Sequence, residues 1–241
     1  MVPYSFGSGT IIVKGALKML GSITNRGLLY SVGIIVNRII PEHWFRFRIF
    51  RVFELAPAAE RRSQGEQRSV ASASDELSFR WCQTDEDFAA ANRLTYYSSP
   101  QESIAADAPK SACLAIDWAE PVGGVWLAQQ CFDESDLGLH FQLADDQQWL
   151  FAAFVAKSHR RKGIYRKLVN HVLQDQSLRT FASINPTNKA SIAAHTPFIR
   201  RTAGTCVAVR IFGWANCWAT AGLKIQKTDA GNAIQISGES T

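Results

Sequence analysis

Phe154-Val155-Ala156-Lys157-Ser158-His159-Arg160-Arg161-Lys162-Gly163-Ile164-Tyr165 is the stretch on which the reading of this chain turns. Before it, Trp149 to Val155 is a near-continuous apolar run, the pattern of a strand covered on both faces. After it, Ile164, Leu168, Val169, Val172 and Leu173 recur at helical spacing, which predicts a helix from about Lys162 to Gln174. Thr180 to Ile184 reads as the next strand, so the segment is a βαβ unit with the right-handed crossover expected of such units. Between strand and helix stand three successive cations and a glycine. Unpaired N–H groups at a helix N-terminus, the macrodipole and a glycine that admits close approach together make an anion site. The arginines add charge-assisted hydrogen bonds suited to a pyrophosphate.

Outward from this unit the pattern alternates between strands and helices. Leu77 to Trp81 reads as a strand, and Thr84-Asp85-Glu86-Asp87 supplies an N-cap and an acidic first turn for a helix through Asn92 and Leu94. Ser111 to Asp117 and Val122 to Ala128 read as a hairpin about a turn containing Glu120-Pro121. Asp133, Glu134, Ser135 and Asp136 mark a loop. A short helix from Asn188 to His195 and two strands, within Phe198 to Arg210 and Ile211 to Ala219, close the body.

At Arg160-x-x-Gly163-x-Tyr165 the chain resembles the GCN5-related N-acetyltransferase (GNAT) family, whose pyrophosphate loop runs Gln/Arg-x-x-Gly-x-Gly/Ala. Tyr165 departs from that pattern, with a bulky side chain in place of a small one. The upstream hairpin with Pro121-Val122-Gly123-Gly124-Val125, the buried strand, and Asn185, Asn188 and Ser191 fall in the order that family shows. The resemblance spans about Leu77 to Ala219. It implies a mixed α/β fold with a mostly antiparallel central sheet flanked by helices, like other acyl-CoA N-acyltransferases. It also implies that Phe154, Val155 and Ala156 hold the pantetheine arm of acetyl-CoA. Arg160, Arg161, Lys162, Gly163, Ile164 and Tyr165 would hold the pyrophosphate, and Asn188 and Ser191 would lie near the thiol end. His195 stands where the family often has a tyrosine that protonates the departing thiolate. The central strand lacks the family's frequent acidic residue, which leaves Asp145, Asp146 or a water chain as the base.

The 241 residues are 46% hydrophobic and 20% charged, which excludes a wholly disordered chain. Five cysteines, odd in number and without a Cys-x-x-Cys pair, suggest neither a disulfide framework nor a zinc ribbon; reduced thiols and a cytoplasmic setting fit. His43, His140, His159 and His171 share no metal-ligand spacing, so no metal is expected. Gly7-x-Gly9 follows no strand and is set aside as a dinucleotide fingerprint.

The net charge of +5 is unevenly spread: residues 1–62 carry +6 and the remainder −1. We divide the chain into a basic, aromatic-rich amphipathic extension (1–62), a linker (63–76), an acetyltransferase-like domain (77–220) and a polar tail (221–241). The longest uncharged run of the extension, Gly27 to Asn37, is 11 residues, too short to span a bilayer, and a secretory signal is not expected. Within the extension, Trp44 to Phe53 interleaves arginines with aromatics. That pattern suits packing against the body or a second copy of the chain, or peripheral attachment to an anionic membrane surface. Nucleic acid is the weakest of the readings.

The expected activity is transfer of an acetyl group from acetyl-CoA to a primary amine by direct attack. A non-catalytic acyl-CoA-binding module and a transferase for longer acyl chains are the alternatives. The acceptor pocket is expected in Thr95 to Pro109 and Cys131 to Gln147, where the acidic residues would attract a cationic amine.

Overall fold

The computed structural model describes residues 44–57, 77–95, 100–104, 111–175, 177–220, 222–228 and 231–237, with 36, 39–41 and 108 besides. The linker at 63–76 and the Gly7-x-Gly9 motif lie outside the described residues, as does nearly all of 1–43. The elements are β1 (Phe45–Leu55), β2 (Leu77–Trp81), α1 (Asp85–Arg93), β3 (Ser111–Asp117), β4 (Glu120–Gln129), β5 (Cys131–Glu134) and β6 (Leu139–Gln142). They continue with β7 (Gln147–Val155), α2 (Ile164–Asp175), β8 (Arg179–Ile184), α3 (Lys189–His195), β9 (Ile199–Ile211), β10 (Trp214–Ala219), β11 (Leu223–Thr228) and β12 (Gly231–Ile236).

Eight strands form one sheet in the order β10-β9-β1-β8-β7-β4-β3-β2, antiparallel throughout except for the parallel pair β7–β8. The expected mixed, mostly antiparallel sheet flanked by helices is what the chain forms. On one face α2 lays Ile164, Leu168, Val169, Val172 and Leu173 against Val125, Leu127, Leu150 and Ala182. On the other face a four-stranded sheet, β11-β12-β6-β5, and α1 cover a core of Phe132, Phe141, Trp149 and Phe151. Phe141 and Trp149 are centred 4.4 Å apart, and Phe132 and Phe151 4.8 Å, so the two sheets meet through aromatic rings.

Local chemistry sets several boundaries. The Asp87 N–H donates to Thr84 Oγ1 at 3.2 Å, and Asp87 accepts in return from the Thr84 N–H, a reciprocal cap that starts α1. The β3–β4 turn falls on Trp118 and Ala119, both at positive φ, as a two-residue hairpin loop requires, and so precedes the Glu120-Pro121 pair expected to hold it.

Three sequence expectations are overturned. The basic, aromatic stretch of the presumed extension is β1, hydrogen-bonded between β9 and β8 in the interior of the sheet. Period-2 alternation explains its composition: Phe53 and Leu55 face the α2 layer, while Phe50 and Val52 face the small sheet. Arg46 and Arg48, on that second face, pair with Asp136 and Glu134. Glu54, 2% exposed, is held by Arg179 at 3.0 Å and Arg201 at 2.6 Å, which ties β1 to both neighbours. A boundary at residue 62 therefore cuts through the fold, and for these residues packing replaces the membrane reading. The polar tail is likewise structured: β11 and β12 complete the small sheet through the parallel β12–β6 pair. Asp133 and Glu134 belong to β5 and not to a loop; a short 3₁₀ turn, Ser135–Leu137, follows.

None of the five cysteines forms a disulfide. Among the described residues, no helix is long and apolar enough to cross a membrane.

Candidate active site

The parallel pair β7–β8 is joined only at Gln147↔Arg179, Gln148↔Thr180 and Trp149↔Phe181. Beyond Trp149 the ladder stops. β7 carries a bulge there, because its register with β4 shifts between Trp126↔Phe151 and Gly124↔Phe154 and Ala152 takes a φ of +48°. A bulge increases local twist and bends the strand, and here it coincides with the point where β8 is left behind. The result is a cleft of about 480 Å³ that reaches from Tyr165, Asn188 and His195 on the α2 side to Phe132 and Thr95 on the small-sheet side.

Of the residues expected to contact acetyl-CoA, Phe154, Val155, Arg160, Tyr165, Asn188 and Ser191 line this cleft, as does His195. Arg161, Lys162 and Gly163 lie exposed at the start of α2 instead. Arg161 has a φ of +66° and Gly163 of +77°, so two left-handed residues turn the chain from β7 into the helix. For Arg161 that conformation costs about 1–2 kcal/mol, while Gly163 bears none of it. A Cβ on Gly163 would meet nothing within 4 Å, so the space above the helix start is open to a ligand.

Three of these residues have particular partners within the fold. The Ala156 N–H donates to the Val122 carbonyl at 2.8 Å and is spent on the β4 ladder. Ile164 is buried, and its side chain anchors α2 in the core. Arg160 folds inward: Nε donates to the Val155 carbonyl at 3.0 Å and the guanidinium carbon lies 5.5 Å from the Phe154 ring centre. It therefore stands in the cleft and not beside Arg161 and Lys162 at its mouth.

His195 is buried, 5% exposed. Its Nδ1–H donates to the Ser191 carbonyl at 2.8 Å, which leaves Nε2 to accept the Tyr165 hydroxyl at 2.7 Å. Burial pulls the imidazole pKa below its ordinary value of 6.5, against the opposing Ser191 hydrogen bond, and pushes the phenol of Tyr165 well above 10. At neutral pH the pair is a neutral imidazole accepting from a protonated tyrosine. Tyr165, which broke the loop pattern, supplies the group that reaches His195. Asn188 caps α3, its Oδ1 accepting from the Ser191 N–H at 3.0 Å.

Among the described residues, no carboxylate lines the cleft. Asp146, one of the bases considered, precedes β7 at the opposite end of the strand and pairs with Arg179 at 3.4 Å; Asp145 shares that turn. The acidic stretch expected to attract an amine is engaged internally: Glu134 pairs with Arg48, and Asp133 contacts His140. Sequence reading missed the Ala152 bulge and the Phe132 wall. The Ala152-Ala153 pair inside an aromatic run was the one mark of the bulge.

A parallel strand pair that parts at a bulge, followed by a cationic turn and a helix within a mostly antiparallel sheet, decides the fold. This is the mixed, mostly antiparallel arrangement that the resemblance to the GCN5-related N-acetyltransferases implies. A GCN5-related N-acetyltransferase from Kribbella flavida is similar over 73% of this chain and 61% of its own, at TM-score 0.42 and 15% identity. One from Sphaerobacter thermophilus is similar over 71% and 54%, at 0.39 and 13%. The ribosomal-protein-S18-alanine N-acetyltransferase of Escherichia coli is similar over 50% and 74%, at 0.38 and 13%. No family model and no curated protein matches the chain in sequence.

Proposed function

We propose that the chain is an acyl-CoA-dependent N-acyltransferase, acetyl-CoA being the donor and an amine the acceptor. The observation that carries the reading is the cleft opened where β7 and β8 part, with the exposed cationic start of α2 at its mouth. Four N–H groups at that helix start lack intrahelical partners, and Arg161 and Lys162 add positive charge, which suits a pyrophosphate. Inside, the edge of β7 that β8 leaves behind, around Ala152 to Phe154, suits main-chain contacts with an extended, amide-bearing arm. Arg160 must swing off the Val155 carbonyl to free that edge, and once released it can join the other cations. The thioester donor, when bound, supplies an activated acyl carbon and a thiolate leaving group.

The chain's own residues then manage the proton. Amide formation takes one proton from the attacking amine and delivers one to the thiolate. The Tyr165 oxygen, whose hydrogen is already directed at His195 Nε2, accepts the amine proton while its own passes to the imidazole. The imidazolium is steadied by the Ser191 carbonyl at Nδ1. Return of the proton through Tyr165 protonates the thiolate and restores the dyad, so no carboxylate base is needed. An N–H at the bulge would serve to stabilise the oxygen that gathers charge. Asn188 and Ser191 shape α3 beneath the dyad, and Phe132, Leu150 and Phe151 form an apolar wall facing the acyl group.

Thermal unfolding with acetyl-CoA, longer acyl-CoAs and free CoA tests the reading, alongside thiol release with a panel of amines. A raised midpoint with acyl-CoA is expected, and Gly163→Glu should weaken binding by tenfold or more through charge and backbone strain. No shift with any CoA thioester, or an unchanged affinity in Gly163→Glu, would overturn it.

A further inference from the structure

We propose that Cys131, Asp133 and His140 form a binding site for a divalent transition-metal ion, with zinc the best fit to the donor set. This site is separate from the cleft and stands independently of the acyltransfer reading. One ligand atom from each of the three residues lies within 4.8 Å of the other two. Strand geometry produces the grouping. Cys131 and Asp133 are two apart on β5 and so share a face, and Asp133 stands directly opposite His140 on β6. The alternate residues, Phe132, Leu139 and Phe141, point into the core, which leaves the three ligands on the outward face of the small sheet.

A thiolate, an imidazole and a carboxylate are ligands that zinc accepts together, at bond lengths of about 2.0–2.3 Å. Tetrahedral angles then separate neighbouring ligand atoms by roughly 3.3–3.8 Å, so closure around an ion needs only side-chain adjustment on a fixed backbone. The His140 Nδ1 already faces Asp133 Oδ1. An ion would enter between them and bind Cys131 as the thiolate. The His140 and Asp133 side chains are 36% and 39% exposed, which gives the ion an entry path and leaves the fourth position to water. Opposite Cys131, Gln142 is engaged by Gln235 at 2.8 Å, which fixes the next rung of the ribbon.

The site lies back to back with the cleft. Phe132, between the two β5 ligands, lines the cleft on the inner face and packs on Trp149 at 5.4 Å. An ion clamping β5 to β6 therefore stiffens the cleft wall without touching the reacting groups.

The test is a cobalt titration of metal-free, full-length protein lacking any histidine tag. One equivalent of Co²⁺ should bind with a thiolate-to-cobalt charge-transfer band, and Zn²⁺ should displace it. Cys131→Ser should abolish the band, and His140→Gln and Asp133→Asn should each weaken affinity by at least about tenfold. Cys82→Ser should leave both unchanged. Circular dichroism of the metal-free variants shows whether they fold. Zn²⁺ should raise the thermal midpoint of the unaltered chain and not that of the Cys131→Ser, His140→Gln pair. No charge-transfer band in the unaltered chain, or one that survives Cys131→Ser, would overturn the site.

Discussion

At the scale of single residues, the proposed chemistry rests on Tyr165 and His195. The imidazole was placed by the resemblance, but its partner was visible in the sequence only as a departure from the loop pattern. Tyr165 and His195 are 30 positions apart and meet because α2 and α3 lie side by side. Tyr165→Phe should lower kcat by roughly 10²–10⁴-fold with little change in the KM for acyl-CoA, and His195→Gln by a similar factor. The double variant should lose scarcely more than either single one, because the two act as a unit. Since burial lowers the His195 pKa, activity should stay level through neutral pH and fall on the acid side below 6.5, a limb that His195→Gln removes. Stability follows the same sign. The unfolded chain protonates this histidine first, so its acid penalty is absent above about 6.5 and grows as the pH falls toward the lowered folded value.

Among the elements, β1 departed furthest from expectation. Its alternating arginines and aromatics fit a lipid surface and a buried strand equally well, because both environments reward one wet and one apolar face. The choice fell to the acidic partners, which are 86 to 90 positions away in sequence. Glu134 is largely buried, and burial holds its pKa above 4.5 even though Arg48 pulls the other way. Arg48→Ala should therefore cost about 1–3 kcal/mol in denaturant unfolding at neutral pH. That penalty should shrink as acid neutralises Glu134, and adding Glu134→Gln should recover part of it. A loss that ignores pH would show that Arg48 acts through packing alone. By contrast α1, α2 and β2 were readable nearly to the residue, since a cap, a helical stripe and an alternating run are local signals.

For the molecule as a whole, β1 sits between β9 and β8, and β12 extends the sheet that covers the aromatic core. A chain begun at residue 74 loses an interior strand, opens two ladders and strands Arg179 and Arg201 without Glu54. It should show no cooperative thermal transition, and an unchanged midpoint would restore the idea of a separable extension. The same dependence on distant pairing governs the metal trio: Cys131 and Asp133 are adjacent in pattern, yet His140 joins them only through the β5–β6 register.

The sequence by itself determined the βαβ unit, its cationic turn and the helix that follows, because periodicity, capping and charge at a helix start act over a few residues. Tertiary structure alone decided where β7 and β8 part, which arginine turns inward, that Tyr165 meets His195 and that the basic stretch near the N-terminus is an interior strand. Those outcomes depend on strand order and on pairing across long separations, where each partner's charge or apolar face is visible in the sequence but its position is not.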